Sequence, residues 1–220
     1  MTVSHIKPKD ILPILTQIEA KGYLELARRV QNIISQICKY GVQNLYCESN
    51  PAQPLQGCTK KPKVRNMPAI IEETPYAKLL ITIDNTEHLM ASVKLCLQVA
   101  PDVFLRSESI RMAKVDHIDF CRKLWIIPKD KMRREHWIPL TDPLIELIRL
   151  AVDLSDGDYL FNGSKPHKPL RENKLNNALR SLGIDKDTHV FHSFRSSFST
   201  LAREHCMLDG DLIKLQLGHY

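Results

Sequence analysis

A chain of 220 residues, 43% of them hydrophobic, with a formal net charge of +6, is long enough for one large or two small domains around a buried core, which excludes a disordered tail. No apolar run approaches a membrane span and Met1–His5 begins no signal peptide, while the six cysteines (Cys38, Cys47, Cys58, Cys96, Cys121, Cys206) form no Cys-x-x-Cys pair, so a zinc site and a redox motif are unsupported and free thiols in a soluble, intracellular protein are expected. The charge is lopsided: residues 1–70 carry ten Lys or Arg against four acids and the remainder balances, which points the N-terminal third toward a polyanion.

In chain order, Ile11, Leu12, Ile14, Leu15 and Ile18, then Leu24, Leu26, Ala27, Val30, Ile33, Ile34 and Ile37, follow helical spacing interrupted at Gly22, predicting two amphipathic helices. The Pro- and Gly-containing stretch Asn50–Gly57 and the basic run Lys60, Lys61, Lys63, Arg65 read as a linker, because breakers and dense positive charge oppose burial. Beyond Met67 helices are predicted near 75–86, 88–100, 107–112, 143–153, 171–181, 192–204 and 211–217, with short strands at 114–120, 123–127 and 136–139 forming an antiparallel meander. The fold class is mainly α (α+β): a helical segment over 1–58, a basic linker over 59–69, and a mostly helical domain with one small three-stranded sheet over 70–220.

The chemistry-bearing motifs cluster late in the chain. His192 and Arg195 lie three residues apart, a spacing that shares a helix face and suits a common anion, and Leu217-Gly218-His219 follows. Upstream stand Phe104-Leu105-Arg106 and the basic run Lys131-Met132-Arg133-Arg134-Glu135-His136 ahead of Pro139-Leu140, then Tyr159-Leu160-Phe161 and Asn173–Arg180. By itself His-x-x-Arg is a common solvated pattern. In this order, over most of the chain, the set resembles the tyrosine recombinases of the phage-integrase family, as found in prophages and genomic islands.

That resemblance implies a site-specific recombinase that integrates or excises a mobile element by cleaving and rejoining DNA through a 3′-phosphotyrosine intermediate. It implies Arg106, Lys131, His192, Arg195 and His219 as catalytic residues, with no metal or other cofactor. Residues 1–58 would belong to the core-binding domain, with Met1 falling partway through it, and 70–220 to the catalytic domain, whose nucleophilic tyrosine is expected about ten residues past His219. Tyr220, adjacent to His219, is not expected to serve. Lys129 competes with Lys131 for the hairpin position. Lys60, Lys61, Lys63, Arg65, Arg133 and Arg134 would contact DNA. Double-stranded attachment-site DNA is the expected partner, bound as a tetramer by the full-length protein with accessory DNA-bending proteins, in the bacterial cytoplasm and on the nucleoid. One departure stands out: the family's Arg-x-Gly-Glu is here Arg106-Ser107-Glu108-Ser109, which displaces the usual acidic support of Arg106. A non-catalytic DNA-binding or regulatory relative is the alternative. Ordinary structural roles are expected for His5, His88, His117, His136, His167, His189 and His205.

Overall fold

The computed structural model describes residues 3–61, 67–128, 135–165 and 167–218, and the chain divides into two compact units, Met1–Asn66 and Met67–Tyr220.

In the first unit α1 (Pro8–Ala20) pairs with α2 (Leu24–Gln43). Pro8 pre-sets the first helical turn, and the Asp10 carboxylate accepts the Lys7 N–H at 2.9 Å, satisfying one of the donors that a helix start leaves open. Gly22, at φ +84°, supplies the left-handed turn that ends α1. The core is small: Ile11 and Leu15, one turn apart on α1, meet Ala52 and Leu55, with Ile6, Val30 and Ile34 beside them. Here the structure corrects the sequence reading. Asn50–Gly57 is no open linker. Asn50 donates to the Ser35 carbonyl and hydroxyl at 3.2 and 3.0 Å, and Ala52 is fully buried. Buried Gln31 donates to the Leu55 carbonyl and accepts from the Thr59 hydroxyl at 3.2 Å. Proline and glycine allow only a short 3-10 turn there (Gln53–Leu55), but the buried Ala52 and Leu55 side chains close the end of the helix pair.

The second unit is built around α4 (Ala91–Val103), buried at Val93, Leu95, Cys96, Leu97, Val99, Ala100 and Val103. Apart from a polar stripe at Lys94, Gln98 and Asp102 the surface of α4 is apolar, as suits a helix in the middle of a core, and α4 packs against α3 (Glu73–Asn85), the short α5 (Ser107–Arg111), α6 (Asp142–Asp153), α7 (Glu172–Ser181) and α8 (Phe194–Glu204). A last helix, α9 (Gly210–Gln216), begins with the Asp209 carboxylate accepting the Asp211 N–H at 2.6 Å and packs on α8. Between α5 and α6 lies a three-stranded antiparallel sheet in the order β1 (Ile118–Asp119), β2 (Leu124–Ile127), β3 (His136–Pro139). Trp125 faces Ile138 across the strands, and both are fully buried.

The mainly helical class with one small sheet is therefore the fold of this chain. The predicted first strand is cut short: Val115–His117 is a 3-10 turn, closed by the His117 ring accepting the Lys114 N–H at 3.3 Å, and only Ile118 and Asp119 join the sheet.

Candidate active site

The site forms where α4, α8, α9 and the sheet converge. At the end of α4 Phe104 takes a left-handed conformation (φ +52°), which costs a residue with a Cβ on the order of 1–3 kcal/mol unless its surroundings hold it. Two groups on α8 hold it. The Phe198 ring stacks on Phe104, and the Arg195 Nη1 donates to the Phe104 carbonyl at 2.9 Å. The reversed turn leads into an extended Arg106, which precedes α5 as its cap residue and is exposed. Ser107, buried behind it, lies 3.5 Å from the Glu172 carboxylate.

Arg195 is only 9% exposed, a costly place for a charge unless its donors are satisfied. Its Nη2 donates to the Leu217 carbonyl, so the guanidinium ties the end of α4 to the end of α9. Burial first, and then the nearby positive charge of Arg106, pull the Arg195 pKa down to about 10, which leaves it charged at neutral pH. Arg106 and Arg195 share a narrow cleft with Leu105, Ser109, Ile127, Pro128, His136 and Leu217. Its cavity of about 30 Å³ is the scale of one or two waters or of oxygens on a phosphate.

Of the residues expected from sequence, the structure thus brings Arg106 and Arg195 together. His192 is half-buried and sits three residues ahead of Arg195, but on a 3-10 turn (Phe191–Ser193) that precedes α8 and not on the helix itself. The Ser193 N–H closes that turn on the Val190 carbonyl at 2.8 Å. Lys131 and its competitor Lys129, Arg133, Arg134, Lys63, Arg65, His219 and Tyr220 lie outside the described residues. Lys60 and Lys61 are exposed, and the Lys60 N–H donates to the Glu19 carboxylate at 2.6 Å, so the start of the basic run is fastened to the first unit.

Sequence reasoning passed over His136, which lines the cleft. Strand alternation held the signal, since a period of two puts His136 on the same face as buried Ile138. His189, by contrast, is structural as expected. It is fully buried, its Nδ1 accepts the Ile70 N–H at 3.3 Å, and it meets Phe194 edge-on. Burial, reinforced by Arg180, lowers its pKa to about 4. Among the described residues no group of three His, Cys, Asp or Glu side chains is arranged to hold a metal, and no helix is long and apolar enough to cross a membrane. All six cysteines are free thiols.

Known proteins share this arrangement of helices and sheet. Residues 71–220 match the Phage integrase family and residues 1–58 the Phage integrase central domain. The chain belongs to the phage integrase family. It is 30% identical over 236 residues to the integrase of Enterobacteria phage P4, covering 99% of this chain and 53% of that protein, and 28% identical to the IntB protein of Escherichia coli K12, covering 99% and 59%. The chain thus spans little more than half the length of these relatives. In fold it matches a lambda integrase dimer bound to a core site, with a TM-score of 0.75 at 16% identity over 98% of this chain and 80% of the other.

Proposed function

We propose that this chain is part of a tyrosine-type site-specific recombinase that breaks and rejoins double-stranded DNA to integrate or excise a mobile element. The observation that carries the reading is the buried Arg195 guanidinium, held by two backbone carbonyls beside Arg106 at one cleft. Two like charges brought together in a narrow space favour an anion between them, and the scissile phosphate of DNA is the anion that the family handles.

In this reaction a tyrosine oxygen attacks the phosphorus of a phosphodiester. The bond from phosphorus to the 5′-oxygen breaks as the 3′-phosphotyrosyl bond forms, and the 5′-oxygen leaves as a hydroxyl. Attack by another strand's 5′-hydroxyl reverses the exchange, so neither water nor a nucleoside triphosphate is consumed. The five-coordinate transition state gathers negative charge on its non-bridging oxygens, and fixed guanidinium groups meet that charge without reorganising. Arg106 and Arg195 fill this role, Arg106 with a planar fork that matches phosphate oxygens and Arg195 with the guanidinium N–H groups that the Phe104 and Leu217 carbonyls leave over. Lys131 protonates the leaving 5′-oxygen, His192 receives the nucleophile's proton or donates to the phosphate, and His219 donates to a non-bridging oxygen. A tyrosine of the full-length protein supplies the nucleophile. The reaction as proposed needs no metal or other cofactor.

The basic first unit and linker, with Lys60, Lys61, Lys63 and Arg65, grip the DNA backbone, as do Arg133 and Arg134 of the basic run ahead of Pro139-Leu140. The working assembly is a tetramer on paired attachment sites with accessory DNA-bending proteins, and the compartment is the bacterial cytoplasm, on the nucleoid when bound. Domain limits of 1–58 and 70–220, joined by 59–69, fit this division of labour.

The test uses the longest open reading frame that contains the chain, incubated with labelled nicked duplexes tiled across the DNA adjoining its coding sequence, and denaturing gels. A covalent protein–DNA band is expected. Arg195→Ala should reduce its formation about 10²–10³-fold while leaving duplex affinity nearly intact. Tight DNA binding with no covalent band on any duplex would favour a non-catalytic, regulatory relative instead.

A further inference from the structure

His136 opens β3, opposite Ile127, at the base of the hairpin that contains Lys131 in sequence. Its ring fills the space beside Gly218: a Cβ added there would stand 3.0 Å from His136 Nδ1 and 3.2 Å from Cε1. Gly218 also has φ +62°, so a side chain is opposed there by both conformation and space. The preceding Leu217 accepts the Arg195 Nη2 through its carbonyl and buries its side chain with Ala202 and Ile213. One short backbone segment is therefore held by β3 on one side, by the α8–α9 packing on another, and by the Arg195 guanidinium on a third.

We infer that His136 is a positioning residue of this site: its imidazole is the wall that sets the Leu217–Gly218 backbone and, through the Leu217 carbonyl, the Arg195 guanidinium. The catalytic part of this inference rests on the recombinase reading above. It makes the sheet edge and the end of α9 mechanically one piece with Arg195, although β3 and Gly218 are far apart in sequence.

His136→Ala and His136→Phe, made in the longest open reading frame, separate wall from chemistry. Alanine removes the wall, and single-turnover cleavage should fall about 10- to 100-fold, as small misplacements of a catalytic group do, with duplex affinity unchanged. Phenylalanine restores a flat ring without nitrogen and should recover most of the rate. An alanine variant that cleaves like the parent overturns the inference, and so does a phenylalanine variant as impaired as alanine, which would instead require a ring nitrogen in the reaction.

A second readout needs no cleavage. In the 220-residue chain without DNA, hydrogen exchange of the Arg195 guanidinium protons should quicken in His136→Ala and stay slow in His136→Phe. Unchanged exchange in the alanine variant overturns the positioning role. Should the parent protein form no covalent complex, the recombinase reading fails by itself, and the exchange measurement still decides whether His136 holds Arg195.

Discussion

The two units spend their apolar residues differently. In the second, α4 is sheathed by other helices, and the core runs from Leu79 on α3 through Trp125 on the sheet to Phe194 on α8. In the first, the core reduces to Ile11, Leu15, Ala52 and Leu55, while Leu26, Ile33, Ile37 and Tyr40 along α2 stay 47–61% exposed. The contrast matches their proposed tasks. A transition state is stabilised only by groups fixed beforehand, so Arg195 needs a rigid frame in which its acceptors cannot drift. Backbone phosphates can be gripped through charge, which tolerates looser packing.

The largest expected effect sharpens the rigid side. His189 is buried neutral with its pKa lowered from 6.5 to about 4. Between those values the unfolded chain binds a proton that the folded chain refuses. The second unit should therefore hold this stabilisation in full above about pH 6.5 and lose it as pH falls toward 4, a change on the order of 3 kcal/mol. Both tryptophans, Trp125 and Trp137, lie in this unit, so urea midpoints read by tryptophan fluorescence across that pH range report on it alone. The slope should flatten in His189→Gln. An unchanged slope in that variant would detach the acid sensitivity from His189.

Where the sequence was legible, the reason was periodicity. The helices of the second unit lie within a few residues of their predicted limits, because long apolar repeats set against Gly, Pro and Asp signals leave little freedom. Arg106 and Arg195 were legible as chemistry through the order of the motifs, and the structure places both at one cleft. What stayed hidden were contacts between distant segments. No local pattern says that Phe104 turns left-handed under Phe198, that the Arg195 guanidinium bridges two carbonyls 113 residues apart in the chain (Phe104 and Leu217), or that His136 rests on Gly218. Asn50–Gly57 was misread for a related reason. Proline and glycine report the absence of an α-helix, and only the partners, Ser35 and Gln31, show that the segment is folded back with Ala52 and Leu55 buried.

A middle-sized effect tests the thinner core. Leu15, 1% exposed, is among the few residues closing the first unit. Leu15→Ala should cost that unit about 2–3 kcal/mol. Amide hydrogen exchange should quicken along α1 and α2 together, while the tryptophan-reported urea midpoint stays in place. A falling tryptophan midpoint would show that the two cores do not respond separately, and the contrast between the units would need revision.

The smallest effect per residue concerns the grip. Lys60 and Lys61 are exposed, with the backbone at Lys60 anchored on Glu19, so their charges stand on a fixed base at the end of the first unit. If each neutralises one phosphate, the double variant Lys60→Ala, Lys61→Ala lowers the slope of log affinity against log salt by about 1.8, at roughly 0.9 per phosphate. Affinity at low salt should fall similarly for unrelated duplex sequences, because backbone contacts carry no base information. Filter binding across a salt series measures both. A slope equal to the parent's would remove these two lysines from the interface, and a loss confined to one DNA sequence would move them from the backbone to the bases, leaving the loosely packed unit with a reading role in place of a gripping one.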